Sequence, residues 1–201
     1  GTPICAGTPL ELIANGAPSY TWDNGATTQT IIVTPTVNTT YTITSTQNGC
    51  VNSATTTVLV NPLPPVTVNS ASICVGQQTA TLIANGALTY SWTAGLSATT
   101  GSVVTASPAI TQNYSVTGTE INGCVKTVTS TITANPLPIL VPTSNTLCIG
   151  LSAPISASGA TTYTWNPTAT ITSVTGATVT ASPTVTTNYT ITATDANGCI
   201  N

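Results

Sequence analysis

A chain of 201 residues with one basic side chain, four acidic ones and no histidine leaves little room for charge-driven function. Nucleic acid and anionic lipid both demand clustered Lys or Arg, and only Lys126 is available, so neither partner is expected. Glu11, Asp23, Glu120 and Asp195 are scattered, and no stretch approaches the ~18 apolar residues of a membrane span.

In chain order, the first distinctive element is Ile4-Cys5-Ala6-Gly7, which returns as Ile73-Cys74-Val75-Gly76 and Leu147-Cys148-Ile149-Gly150. Next comes Tyr20-Thr21-Trp22, repeated as Tyr90-Ser91-Trp92 and Tyr163-Thr164-Trp165. Tyr41, Tyr114 and Tyr189 follow, and each unit then carries Asn-Gly-Cys, ending at Cys50, Cys124 and Cys199. The period is about seventy residues, so the chain reads as three tandem modules at 1–62, 63–136 and 137–201. A module of that size buries only roughly 60% of its unfolded surface and has a marginal core of its own.

Helix signals are nearly absent, whereas alternation with period two is plain: Tyr41, Ile43 and Ser45 face one way, Thr42 and Thr44 the other. In the second module the pattern predicts strands at 66–69, 79–84, 89–92, 102–106, 114–119 and 125–133. Asn85-Gly86, Ala94-Gly95 and Asn122-Gly123 mark turns between them. Threonine, about a quarter of the chain, offers a β-branched body to a sheet and a hydroxyl to water. Such a surface is hydrated without charge, so stability is expected to vary little with mild changes of pH or salt. Aligning the modules places Leu12, Leu82 and Ile155 at one inward site and Ile43, Val116 and Ile191 at another. Ala54 with Val128 and Val58 with Ile132 give two more. Pro35, Pro108 and Pro183 each end a strand before the tyrosine that starts the next. A tyrosine there is similar to the tyrosine corner of immunoglobulin-like sandwiches. The expected fold is therefore all-β, a tandem array of three immunoglobulin-like β-sandwich modules of six to seven strands each.

Asn61-Pro-Leu-Pro-Pro65 and Asn135-Pro-Leu-Pro138 lie between modules, and short proline-rich joints act as semi-rigid spacers. The first module is expected to lack most of its first strand and the third its last. Both ends then read as cut from a longer array; the alternative is that a neighbouring chain donates the missing strand. A start at Gly1 without a charged segment and apolar run reads as a mature or interior segment.

Taken together, Ile-Cys-x-Gly, Gly-Ala-x-x-Tyr-x-Trp, Val-x-Pro, Thr-x-Tyr-Thr-Ile-Thr and Asn-Gly-Cys resemble the PKD-like or immunoglobulin-like repeats of Bacteroidetes cell-surface adhesins. Those include gliding-motility adhesins exported by type IX secretion. The resemblance covers essentially the whole chain. It implies a secreted, cell-surface protein whose partners are neighbouring repeats of the same long chain, with surface glycans or other adhesin chains as further candidates.

Six regularly spaced cysteines without histidine fit disulfides rather than zinc, which places the chain outside a reducing compartment. Pairing within each repeat, Cys5–Cys50, Cys74–Cys124 and Cys148–Cys199, is the simplest connectivity. It closes loops of about 45 to 51 residues and stabilises each by roughly 3–4 kcal/mol. Topology decides whether it is feasible. If four strands separate the two cysteine turns, both turns lie at one pole and can meet. A fifth strand between 89–92 and 102–106 puts them at opposite poles, and Cys5–Cys124 and Cys74–Cys199 then become feasible links between neighbours.

Residues two apart share a strand face, so Tyr20 and Trp22 point together, either into the core or outward as a platform for sugar rings. With no phenylalanine in the chain, a large side chain must fill each module, and Trp22, Trp92 and Trp165 with Tyr41, Tyr114 and Tyr189 are the expected core. Catalysis fails on inventory: there is no histidine base, no two carboxylates stand close together in the sequence, and a serine or cysteine nucleophile has no partner. No cofactor or metal is expected; Asp23 and Asp195 read as turn formers. Asn38-Thr-Thr, Asn113-Tyr-Ser and Asn188-Tyr-Thr match the glycosylation sequon, as chance allows in a threonine-rich chain. The function expected is a non-enzymatic stalk or filament segment of a repeat adhesin. The alternatives are a glycan- or protein-binding module, through the turns at Asn15-Gly16, Asn85-Gly86 and Ser158-Gly159, or a fibre subunit assembled by strand donation.

Overall fold

The computed structural model describes residues 2–201, so the expectation attached to Gly1 lies outside the described residues. These residues form nineteen strands and no helix. The first group comprises β1 (Ile4–Cys5), β2 (Leu10–Ile13), β3 (Tyr20–Trp22), β4 (Thr30–Val33), β5 (Thr39–Gln47), β6 (Cys50–Val58) and β7 (Val60–Asn61). The second comprises β8 (Thr67–Val68), β9 (Ala71–Cys74), β10 (Ala80–Asn85), β11 (Thr89–Trp92), β12 (Val103–Ala106), β13 (Gln112–Thr119) and β14 (Val125–Asn135). The third comprises β15 (Val141–Pro142), β16 (Ala153–Ser158), β17 (Thr162–Asn166), β18 (Thr178–Ala181) and β19 (Thr190–Thr194).

The second group shows the full plan. One sheet runs β12-β10-β8 and the other β11-β13-β14-β9. Their inner faces meet in one core, to which the first sheet contributes Leu82 and Val104 and the second Ile73, Trp92, Tyr114, Val116 and Ile132. The burial of β10 alternates residue by residue, as period-two side chains require when one face meets a partner sheet and the other meets water. On the outer face, threonine pairs across strands, with Thr117 and Thr127 hydroxyls 2.7 Å apart. The chain is thus an all-β tandem array of immunoglobulin-like sandwiches.

The first and third groups repeat this plan incompletely. In the first, β2 pairs only with β4, and no strand takes the place that β8 takes beside β10. In the third, β19 pairs with β17 on one side and only with Ile200 and Asn201 on the other, where β13 pairs with the whole of β14. Each group keeps its own hydrophobic cluster, centred on Trp22, Trp92 and Trp165. Ala54, expected to face inward, is exposed: β6 is solvent-facing along almost its whole length, because the sheet opposite it is only β2 and β4.

Two features lie outside the six strands predicted for the second module, and the second of them takes the place held open above for a fifth strand between the cysteine turns. The first is β9, which runs parallel to the end of β14, with Asn135 opposite Cys74. The second is the connection from β11 to β12. It turns back across the module beside β11, joined by a single antiparallel bridge between Ser91 and Thr100 and by the Trp92 amide to the Thr99 carbonyl, 2.8 Å. The third group repeats it with Thr164 opposite Thr175. This irregular run is a fifth traverse between the two cysteine turns, and it reverses which pole each turn occupies.

The proline-rich joints are packed rather than free. Pro64 is fully buried and Val66 is buried in the second core, while Pro138 is buried in the third group.

Candidate functional site: the junctions between repeats

Each Ile-Cys-x-Gly segment is built for one place. Ile73 plugs the core, and Cys74 sits at the end of β9. The amide of Val75 donates to the Asn135 carbonyl at 3.0 Å, and the matching amide of Ala6 donates to Asn61 at 2.9 Å. Gly76 then turns the chain with φ of 74°, a left-handed conformation that glycine adopts without a Cβ clash. The asparagine that opens each proline-rich joint therefore anchors the cysteine strand of the same repeat.

The Asn-Gly-Cys turn forms the other half. Asn122 Oδ1 accepts the Cys124 amide at 3.0 Å, and Asp195 Oδ1 accepts the Cys199 amide at 2.9 Å. Cys124 directly precedes the start of β14, whereas Cys74 lies beside its end. With 11 residues in β14 at roughly 3.3 Å each, the two are roughly 35 Å apart within their own module. A disulfide needs its Cα atoms within about 7 Å.

Pairing within repeats is therefore corrected. Cys5 bonds Cys124 with a Cα separation of 5.5 Å, and Cys74 bonds Cys199 at 5.4 Å, each across a junction between neighbouring repeats. Cys50 and Cys148, expected among the disulfide-bonded set, are free and exposed. The cause is the fifth traverse, which sends the first cysteine of one repeat towards the last cysteine of the next. Both bridged turn cysteines are fully buried. At the second junction, Gln77 and Ile200 add a reciprocal pair: the Gln77 amide donates to the Ile200 carbonyl, and its oxygen accepts the Ile200 amide.

The aromatic motif supports these junctions from within. Trp22, Trp92 and Trp165 are buried, and each indole Nε1 donates to a carbonyl on the returning segment: Thr28 at 2.9 Å, Gly101 at 2.8 Å and Gly176 at 2.9 Å. The tyrosine two residues earlier shares the inward face. Its hydroxyl accepts an amide three residues upstream, from Ala17, Ala87 or Ala160, at 2.8–2.9 Å. Gly-Ala-x-x-Tyr-x-Trp is thus one device: alanine supplies the amide, tyrosine caps the turn, and tryptophan pins the traverse. Tyr114 is buried, while Tyr41 and Tyr189 are half-buried against their clusters, with the Tyr189 hydroxyl 2.6 Å from Thr170 Oγ1. No Tyr-x-Trp pair forms an open platform.

The turns singled out as contact loops differ. At Gly86 and Gly159 an added Cβ would fall on the carbonyl oxygens of Pro65 and Ile139, so the preceding joint lies directly against each turn. Gly16 meets nothing. Two sequon asparagines are engaged: Asn38 Oδ1 accepts the Val60 amide at 2.7 Å, and Asn113 Oδ1 accepts the Thr131 hydroxyl at 2.7 Å. Among the described residues no cluster of His, Cys, Asp or Glu could hold a metal ion, and no helix is long and apolar enough to cross a membrane.

Two open grooves remain. One, of about 930 Å³, lies beside β19 and is lined by Ile155, Trp165, Tyr189 and Ile191. The other, of about 320 Å³, is lined by Trp22, Tyr41, Ile43 and the Asn52–Thr56 stretch of β6. They occupy the places where the second group has, respectively, β14 and β8.

No protein-family model matches the chain, and no curated protein matches it. Among solved structures, it is similar to the N-terminal eight immunoglobulin domains of Down syndrome cell adhesion molecule, at 14% identity, covering 98% of this chain and 33% of that one, TM-score 0.40. It is similar to extracellular domains 3–5 of Drosophila OTK, at 10% identity, covering 98% and 90%, TM-score 0.40. A Ca2+-stabilized adhesin with which an Antarctic bacterium binds ice is similar at 14% identity, covering 98% and 67%, TM-score 0.40.

Proposed function

We propose that this chain is a non-enzymatic, load-bearing stalk segment of a secreted, cell-surface repeat adhesin, of the gliding-motility type exported by type IX secretion. It holds a distal binding region away from the cell. The domain divisions at residues 62 and 136 are part of this reading, with the junctions as its working parts. One observation carries it: both junctions are spanned twice, once by a packed proline-rich joint and once by a disulfide between neighbours. An enzyme would need groups that the composition lacks, and the tryptophans that a glycan platform would need are buried and held by their indole N–H bonds.

Pulled from its ends, the oxidised chain carries load by the shortest covalent route: Cys5 to Cys124, backwards along the chain to Cys74, then across to Cys199. That route holds about 50 residues of backbone, against about 194 along the whole chain between the outer cysteines, or roughly 170 Å against roughly 670 Å when extended. Single-molecule pulling tests the stalk. Extension between the outer cysteines should stop near 170 Å and grow about fourfold once reductant is added. Full-length extension without reductant would contradict it.

A further inference from the structure

The two bridged junctions are built alike but closed differently. At the second, Gln78 Oε1 accepts the Cys74 amide at 3.1 Å, and Asn135 Nδ2 donates to Ser72 Oγ beside it at 2.8 Å. Gln77 adds its reciprocal pair with the Ile200 amide and carbonyl across the junction. The first junction has Pro3, Thr8 and Pro9 where the second has Ser72, Gln77 and Gln78. Neither proline offers a side-chain hydrogen bond, and a threonine is too short to repeat the glutamine's reach. Pro3 also has no amide to donate, and β1 pairs over two residues where β9 pairs over four. Burial follows the same order: Cys74 is 2% exposed and Ile73 3%, whereas Cys5 and Ile4 are half-buried. Cys124 and Cys199 have no exposed surface, so of the four bonded cysteines Cys5 alone is not buried. The difference lies in side chains at matched positions of both junctions, so it does not turn on which repeats adjoin the chain.

We propose that the first junction is a redox-sensitive hinge and the second a sealed one, so that a small dithiol opens Cys5–Cys124 while Cys74–Cys199 stays closed. Thiol–disulfide exchange needs a thiolate in line with the S–S bond at a sulfur it can reach. Attack therefore falls on Cys5 Sγ. The S–S bond breaks, and Cys124 leaves as a thiolate that takes up a proton. The second thiol of the reagent then loses its proton and displaces Cys5 Sγ, closing the reagent's own disulfide, so the bridge is reduced and the dithiol oxidised. At the second junction the same attack waits until Gln77 and Gln78 let go and the junction opens locally. Once Cys5–Cys124 is open, the first joint is held by its packed proline-rich segment alone, and the second and third repeats remain fastened. The proposal stands apart from the stalk reading, because the order of reduction belongs to the junctions whether or not they bear load.

The test uses the full chain with both native bridges intact and with Cys50 and Cys148, which are exposed, capped beforehand by N-ethylmaleimide. Dithiothreitol is added without denaturant, samples are quenched with iodoacetamide over time, and peptic mapping counts the alkylated cysteines. Cys5 and Cys124 should be alkylated together, at least about tenfold faster than Cys74 and Cys199, because exchange at the sealed bridge waits for local opening. The double variant Gln77→Ala, Gln78→Ala should close most of that gap by speeding Cys74–Cys199, with the rate at Cys5–Cys124 unchanged. In urea, where both junctions are unfolded, the two rates should become equal. Equal rates in the folded wild type would overturn the proposal, as would faster opening of Cys74–Cys199 or a difference that persists in urea.

Discussion

The residues that recur in this chain recur because each satisfies a specific backbone group. Trp92 fills the core, but its Nε1 bond to Gly101 also holds an otherwise irregular run in place. Tyr90 would pack equally well as phenylalanine; its hydroxyl is there for the Ala87 amide. Gly86 is required twice over, by a φ of 91° and by the Pro65 carbonyl lying where a Cβ would go. Gly16 has a similar φ of 95° and open space. Gly86→Ala should therefore destabilise the protein by about 2–3 kcal/mol or more, and Gly16→Ala by only about 1 kcal/mol. Urea midpoints followed by tryptophan fluorescence measure both. Equal effects would mean that the joint is not seated on the turn. The positions of these residues can be read from the repeat, but their hydrogen-bond duties cannot, since a turn amide and a distant carbonyl leave no mark on side-chain pattern.

Strand by strand, alternation places most of the sandwich, and predicted and observed limits of β10 to β14 differ by about two residues or less at each end. What escapes is the backbone held without a pattern. β9 has four residues, Ala-Ser-Ile-Cys, and is defined by parallel pairing to a strand some sixty residues away, which local propensity cannot signal. The return run between β11 and β12 holds by one bridge and a few amides, so its threonines and glycines read as loop. Those two elements together decide where the cysteines lie. The open edges follow the same logic: an unpaired strand beside an apolar groove is a template for another strand. A synthetic peptide with the Val125–Asn135 sequence should pair with β19 and raise the exchange protection of the Ile191 amide, with no change in β10 or at Ala193, whose amide already bonds the Asn201 carbonyl. Unchanged exchange in β19 would show that the groove does not accept a strand of this kind.

At the scale of the whole molecule, the disulfides shift the unit of construction by one repeat. Modules that are small for an independent core are fastened to their neighbours, and the two bridges span 119 and 125 residues, overlapping in the second module. On the chain-entropy model, a loop of that length restricts the unfolded state by about 4.7 kcal/mol, somewhat more than a bridge within one repeat. The single lysine offers the most direct check of this arrangement. Lys126 lies between Cys124 and Cys148, so cleavage there divides the chain into two pieces. With thiols blocked and the protein unfolded in urea, a lysine-specific protease should leave both pieces joined through Cys74–Cys199, running together until reductant is added. If the pieces separate without reductant, each repeat keeps its own bridge and the staggered junctions described above do not exist.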